Sequence, residues 1–577
     1  MTLTGGGSCT ITANQLGNAT YAAAPSVSQS FTIAPEPESL TLSVPPGPVQ
    51  QGQTVTLSAQ LAPAPGTGAT AVFYDGATVL GFASVASGSA SFTASLLAGP
   101  HSLRAYFPGN ANLASAGSST QPLVVSAVPS ATIAAGVTYT VGVNPSGMVA
   151  GDFNLDGWPD LAVANYDTAS GSTDSVSVLL NNGNGTFATA QNYKVDTGTT
   201  AVAVGDFNGD GIPDLVVVSA TSKRLTVLRG NGNGTFTAGT QHFSAGSAPV
   251  RLAVADFNGD GKIDVAVVNK SSNNVSVLLG NGNLTFRSPV NYPVGTSPYA
   301  VAVGDFNGDG IADLAVSNAG SNNVTILLGN GDGTFQPGVS YSVGASPSYL
   351  AIADFNGDRK PDLVVANTNS NNLGVLLGNG DGTFQAAVNY AAGGAPVGIA
   401  AVDMNGDGNL DLIATVDGGN DLIVLPGNGN GTFQARVVYP VGSKPLPLAV
   451  ADFNRDGRTD IAAANSGANS VSVLLGSTAT TSTTLTSSAN PAKAGKAVTF
   501  KAVVQIGGTT FATPSGTVTF ADGGNVLPGG MVALNGTSAR LSISTLSPGT
   551  HSITAAYSGD ARFGASTSAV LSQVAVH

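Results

Sequence analysis

Charge is scarce in this 577-residue chain: Lys, Arg, Asp and Glu together make up 9% of it, against about 25% in an ordinary soluble domain. The surface must therefore be built mainly from neutral polar residues. Basic residues number 20, form no run, and leave a net charge of −13, so the cationic footprint that nucleic acid binding requires is absent. Cysteine occurs once, at Cys9, which excludes a disulfide framework and a thiolate metal cluster. No stretch reaches the roughly 18 to 20 continuous apolar residues of a membrane span, and membrane insertion is not expected. The opening Met1-Thr2-Leu3-Thr4-Gly5 has neither the basic nor the apolar segment of an export signal. Helical periodicity is missing throughout. At this length the chain should hold about four domains.

Glutamate is the scarcest acid. Of 33 acids, 31 are Asp, and only Glu36 and Glu38 are Glu. The Asp residues are not scattered. A nine-residue pattern, D-x-N-x-D-x-x-x-D, begins at Asp152, Asp206, Asp256, Asp305, Asp354, Asp403 and Asp452 and accounts for 21 of them. The last four intervals are all 49 residues, a period that marks a repeat architecture.

Alternate residues of a tight loop can turn hard oxygens inward, as Ca²⁺ requires: positions 1, 3 and 5, the carbonyl of 7, and a final carboxylate. In the second copy these are Asp206, Asn208, Asp210, the Ile212 carbonyl and Asp214, with Gly211 at the sharp turn. Three crowded carboxylates would repel one another without a cation. Asx-turn chemistry alone explains one such loop, but not seven in register. An EF-hand is excluded, because its loop needs a Glu at position 12 and flanking helices, whereas a β-branched run such as Leu215-Val216-Val217-Val218 follows here.

Around each loop the same strand signals recur. In the third copy, Leu252 to Ala255 enters the loop, Val265 to Val268 leaves it and Val275 to Leu279 follows. The turn Gly280-Asn281-Gly282-Asn283 then precedes a fourth segment from Thr285 to Tyr292. Four short strands per unit, seven times, predict a β-propeller blade repeat. The seventh unit stops at Gly476 without its fourth strand, and a matching segment, Ile133 to Tyr139 with Val141-Gly142, precedes the first loop. Closure by that N-terminal strand would remove the exposed sheet edges.

The motif Asp-Phe-Asn-Gly-Asp-Gly-x-x-Asp followed by an apolar strand resembles the FG-GAP/VCBS repeat family, including the calcium-bearing blades of integrin α-subunit propellers. The resemblance implies an all-β fold, a seven-bladed propeller over residues 131–476 with about seven Ca²⁺ sites. Its ligands would be Asp152, Asn154, Asp156 and Asp160; Asp206, Asn208, Asp210 and Asp214; Asp256, Asn258, Asp260 and Asp264; and Asp305, Asn307, Asp309 and Asp313. They continue with Asp354, Asn356, Asp358 and Asp362; Asp403, Asn405, Asp407 and Asp411; and Asp452, Asn454, Asp456 and Asp460. One loop departs from the pattern, with Arg359 at the turn glycine.

A second repeat flanks the first. Gly99-Pro100-His101-Ser102-Leu103 with Gly109-Asn110-Ala111 parallels Gly549-Thr550-His551-Ser552-Ile553 with Gly559-Asp560-Ala561. Segments 37–127 and 479–577 resemble bacterial Ig-like β-sandwich domains, and residues 1–35, with Gly17-Asn18-Ala19-Thr20-Tyr21, resemble the end of a third. The chain thus reads as an N-terminally truncated piece of a longer protein.

The equivalent positions of His101 and His551 give them a shared structural role, and His242 takes a place that tyrosine holds in other repeats. No G-x-S-x-G, P-loop, HExxH or dinucleotide fingerprint occurs. The expectation is a monomeric, non-enzymatic adhesion or recognition protein, secreted or displayed at the cell surface, with the Ig-like domains as spacers. Its protein or glycan ligand should bind the face opposite the calcium loops, where Tyr166, Lys223, Arg224, Arg251, Lys270, Tyr299, Tyr349 and Lys444 are expected in loops. A lectin or a polysaccharide-active lyase or glycosidase is the alternative.

Overall fold

The computed structural model describes residues 7–16, 24–33, 39–64, 69–110, 113–167 and 174–577. These hold strands, turns and no helix, so the chain is all-β. Within residues 137–474 the described residues form seven four-stranded antiparallel sheets. Six are meanders, because a β-branched run is followed by an Asn/Gly turn that reverses the chain. The third comprises Pro249–Ala255, Asp264–Asn269, Asn274–Leu278 and Val290–Pro293. Every residue of its second strand is buried.

The first strand of each sheet packs against the first strand of the next, and that of the seventh, Pro445–Ala451, returns to that of the first, Pro145–Gly151. The ring is thereby continuous. Its seventh sheet is completed from the N-terminal side: Val137–Thr140 pairs antiparallel with Ser470–Leu474, and Thr132–Ile133 pairs separately with Gly476–Ser477. The fourth strands begin later than their apolar segments suggest. In the third repeat Phe286 makes only an isolated bridge to Gly280, and the ladder resumes at Val290.

That phenylalanine instead joins neighbouring sheets. Phe207, the second residue of the second loop, meets Phe286 of the next sheet edge to face at 5.8 Å, and Phe257, Phe306 and Phe355 meet Phe335, Phe384 and Phe433 in the same way. Across the closure Phe453 meets Phe187 at 5.4 Å. One position breaks the series. Met404 replaces the loop phenylalanine, and Phe511 of the C-terminal sandwich shares its apolar cluster.

Both flanking sandwiches pair a three-stranded sheet with a larger one around a single core, built on Leu57, Phe73 and Phe107 in one and on Phe500, Phe520 and Phe563 in the other. Residues 7–15 and 24–33 form a two-stranded antiparallel pair. Gly17-Asn18-Ala19-Thr20-Tyr21 and Ala111 lie outside the described residues.

His101 and His551 do share one structural role. His551 Nδ1 is 2.6 Å from Asp522 Oδ2 and Nε2 is 2.8 Å from the Ser547 carbonyl, and His101 repeats this with Asp75 and Leu97. Both ring nitrogens face groups that only accept, so both must carry protons. The Ser547 carbonyl and Asp522 raise the His551 pKa above its ordinary 6.5. For His101, burial pulls the pKa down, but the Asp75 and Leu97 contacts outweigh it. A raised folded-state pKa adds stability that is complete below the unfolded value and lost as pH rises through the folded one. Melting of the C-terminal sandwich should therefore fall from pH 6.5 towards pH 8.5 in the parent protein, and His551→Gln should flatten that slope. Calorimetric scans of both proteins across this window provide the check.

Candidate functional site: seven acidic loops at one end of the ring

Each D-x-N-x-D loop joins the first and second strands of a sheet, so all seven lie at one end of the ring. The backbone is tightly wound at two positions, not one. The sixth residue has a left-handed φ, 82° at Gly211 and 77° at Gly261, and so does the fourth, 73° at Gly209 and 66° at Gly259. A Cβ is costly in this region. Three non-glycine residues accept it: Arg359 at position 6, with φ 64°, and Leu155 and Arg455 at position 4, with φ 61° and 52°. The Arg359 loop keeps the shape of the others, because its amide donates to Asp354 Oδ2 at 2.7 Å, as Gly211 does to Asp206 Oδ2 at 2.8 Å. Sequence inspection flagged Arg359 but passed over Leu155 and Arg455.

The loop carboxylates divide the work. The first, such as Asp206, accepts the amides of Gly209, Asp210 and Gly211 and winds the loop around itself. The fifth, Asp210, accepts the Ile212 amide and faces the Asn208 side-chain amide at 2.9 Å. The ninth is fully buried in all seven copies: Asp160, Asp214, Asp264, Asp313, Asp362, Asp411 and Asp460. Each takes two backbone amides. For Asp214 these come from Phe207 at 3.1 Å and from Gly230, which opens the turn after the third strand, at 2.8 Å. The same pair recurs as Phe257 and Gly280 on Asp264, and as Met404 and Gly427 on Asp411.

This geometry differs from the expected cluster of converging acids. Among the described residues no three acidic, His or Cys side chains are gathered into a ready metal cage, because the carboxylates are turned towards backbone amides. The electrostatics nevertheless remain unbalanced. Burial, together with the neighbouring loop acids, pushes Asp264 and Asp460 up to about 8 and Asp313 to about 7, although the amides oppose it. The ion pairs found on loop acids involve the fifth position: Asp210 with Arg229, Asp260 with Lys262, Asp358 with Lys360 and Asp456 with Arg458. In the sixth loop Asn405 is buried and its Oδ1 has no hydrogen-bond partner. An all-oxygen donor set, acids at positions 1 and 9 without basic partners and one orphaned amide oxygen fit a hard divalent cation.

At the other end of the ring four of the expected loop residues lie on strands. Arg224 opens the third strand of its sheet, Arg224–Gly230. Arg251, Tyr299 and Tyr349 lie on the first strands, Pro249–Ala255, Pro298–Gly304 and Pro347–Ala353. The Arg251 guanidinium sits 5.0 and 4.8 Å from the two ring centroids and donates to Tyr349 Oη at 2.6 Å and to the Thr200 carbonyl at 3.0 Å. Arg251 is buried and the two tyrosines are half-buried, so the guanidinium is packed against the rings rather than free at the surface. Lys223, Lys270 and Lys444 are exposed, as turn residues would be.

Relief of the strain at Arg359 should be measurable. Arg359→Gly is expected to stabilise the protein by about 0.5 to 1 kcal/mol, the left-handed penalty less the backbone entropy of glycine. Denaturant melts of this variant against the parent give the figure.

Comparison with known proteins places these loops in a family. The FG-GAP-like repeat matches in six overlapping stretches from residue 152 to residue 463, and the bacterial Ig-like domain (group 3) matches residues 42–128 and 485–576. No curated protein matches the chain. Among solved structures, a functionally unknown protein from Desulfotomaculum acetoxidans is 13% identical with a TM-score of 0.39, over 50% of this chain and 86% of its own. The Pseudomonas aeruginosa periplasmic gluconolactonase PpgL is 16% identical with a TM-score of 0.34, over 56% and 97%. The V. cholerae biofilm matrix protein Bap1 is 13% identical with a TM-score of 0.35, over 60% and 91%. Since the repeat covers more than half of its length, the chain belongs to the FG-GAP-like repeat family, with a bacterial Ig-like domain on either side of the repeats.

Proposed function

We propose that this protein is an extracellular or surface-displayed recognition module: a seven-bladed β-propeller loaded with calcium and flanked by two Ig-like domains. The observation that carries this reading is the contrast between the two ends of the ring. Seven near-identical acidic loops occupy one end, where they suit a structural cation. The other end consists of turns that differ from sheet to sheet and expose Lys223, Lys270 and Lys444. Uniform, buried carboxylates serve a scaffold, whereas variable exposed turns on a rigid frame serve recognition.

In each loop the acids at positions 1, 5 and 9, the Asn at 3 and the carbonyl at 7 would hold the cation. Bound calcium would supply the positive charge that the buried acids lack. The chain's own part is to wind the loop through the first carboxylate and to fix the ninth between two amides. Seven divalent cations would bring a net charge of −13 close to neutrality. Binding rather than catalysis is proposed, because no catalytic motif accompanies the loops, and the ligand is proposed to bind at the end opposite them.

Calcium should stabilise the ring. At a dissociation constant of about 0.3 mM, within the extracellular range, 10 mM calcium adds about 2 kcal/mol per site. A melting temperature that does not move between excess chelator and 10 mM calcium would refute the cation sites. For recognition, a glycan array with the calcium-loaded protein should return specific ligands, and charge reversal at Lys223, Lys270 and Lys444 should weaken their binding about tenfold without lowering the melting temperature. Steady turnover of an arrayed polysaccharide would favour the enzyme alternative instead.

A further inference from the structure

The N-terminal Ig-like domain does not extend away from the ring as a free spacer. It lies across the loop end and touches loops on opposite sides of the axis. On one side Tyr74 Oη donates to Asp256 Oδ2 of the third loop at 2.7 Å. Ala77 joins the apolar cluster of Ala255 and Phe257, while Val79 and Phe82 pack against the cluster holding Ile263. On the other side the Gln51 side-chain amide donates to Thr459 Oγ1 at 3.1 Å, and the Val128 amide donates to the Gly457 carbonyl of the seventh loop at 2.8 Å.

The loops are consequently not equivalent. The first-position acids of the third, sixth and seventh loops, Asp256, Asp403 and Asp452, are buried, whereas Asp305 and Asp354 of the fourth and fifth are partly open. Asp256 is also the acid that receives a side-chain donor from another domain. Tyr74 is 2% exposed and held from behind by Arg104, whose guanidinium carbon lies 3.9 Å from the ring centroid. Its hydroxyl is therefore fixed in position. A donor that orients a ligating carboxylate typically contributes a factor of about 10 to 100 in metal affinity.

We propose that the N-terminal Ig-like domain is a calcium-dependent clamp, in which Tyr74 positions the Asp256 carboxylate so that cation binding at the third loop and docking of the domain reinforce each other. The inference rests on the calcium reading above and extends it to regulation of one site. Coupling of this kind is reciprocal. A docked domain raises the affinity of the third loop, and a filled third loop holds the domain down. Tyr74 and Arg104 also border Gly310 and Ile311 of the fourth loop, whereas the fifth loop, which shares no apolar cluster with described residues of the domain, binds independently.

Tyr74→Phe tests the clamp in the full chain, since it removes only the hydroxyl and keeps the ring under Arg104. Hydrogen exchange is followed in peptides from the third, fourth and fifth loops and from the domain contact around Ala77 to Phe82, over a calcium titration. In the parent protein calcium should protect all four regions. In Tyr74→Phe the third loop and the domain contact should need about tenfold more calcium, with the fifth loop unchanged. Equal shifts in all loops, or none in the third, would overturn the clamp while leaving calcium binding intact. No calcium protection anywhere in the parent protein would overturn both.

Discussion

The ninth-position carboxylate of each loop is the constraint from which the ring is built. One oxygen of Asp264 takes the amide of Phe257 and the other takes that of Gly280. A single buried side chain thus ties the loop before the second strand to the turn after the third. Asparagine could accept only on its one oxygen, which would leave one amide buried and unpaired at about 1 to 3 kcal/mol. The aspartate, however, brings a charge into an apolar layer, and burial drives its pKa upward. The stitching of the sheet and the raised pKa are two consequences of the same buried group.

The same loop connects one sheet to the next. The carbonyl of its second residue accepts an amide from the following turn, as Phe257 does from Gly333 and Phe355 from Gly431. The aromatic ring of that residue meets the turn phenylalanine beside it. Where the seventh sheet lacks the turn, the series is repaired with borrowed parts. The Met404 carbonyl accepts the Ser130 amide at 3.3 Å, and Phe511 comes from the C-terminal sandwich. At the closure the Asn181 side chain donates to the Phe453 carbonyl at 2.8 Å. Flanking segments are therefore part of the ring's closure, which ties the stability of the repeat array to its neighbours.

The sequence makes the repeat and its period plain because seven copies of one spacing leave little else to explain them. The strand that completes the seventh sheet was also legible, as the piece missing after Gly476 and present before the first loop. Loop chemistry was only half legible. The left-handed fourth position hides behind Leu155 and Arg455, since glycine there resembles ordinary turn composition. The split between amide-binding and convergent carboxylates depends on side-chain rotation, which spacing does not encode. Arg251, Tyr299 and Tyr349 were misread as loop residues because the alternation of a short inner strand with a bulge is weak. Docking of Tyr74 on Asp256 joins residues 182 apart, and nothing local signals it.

The distribution of charge explains how so neutral a chain can carry so acidic a feature. Outside the loops 12 acids stand against 15 basic residues, since Lys262, Arg359, Lys360, Arg455 and Arg458 lie within the loops. Acidity is concentrated at one end of the ring, partly beneath a domain, while the other end carries lysines such as Lys223, Lys270 and Lys444 together with acids such as Asp196, Asp417 and Asp421. With a divalent cation in each loop, the acidic end would be neutralised, and the mixed charges of the opposite end would no longer sit in its negative field. Cation loading would then do more than stiffen the scaffold. By silencing the loop acids, it would lift a long-range negative field from the surface that an approaching partner meets.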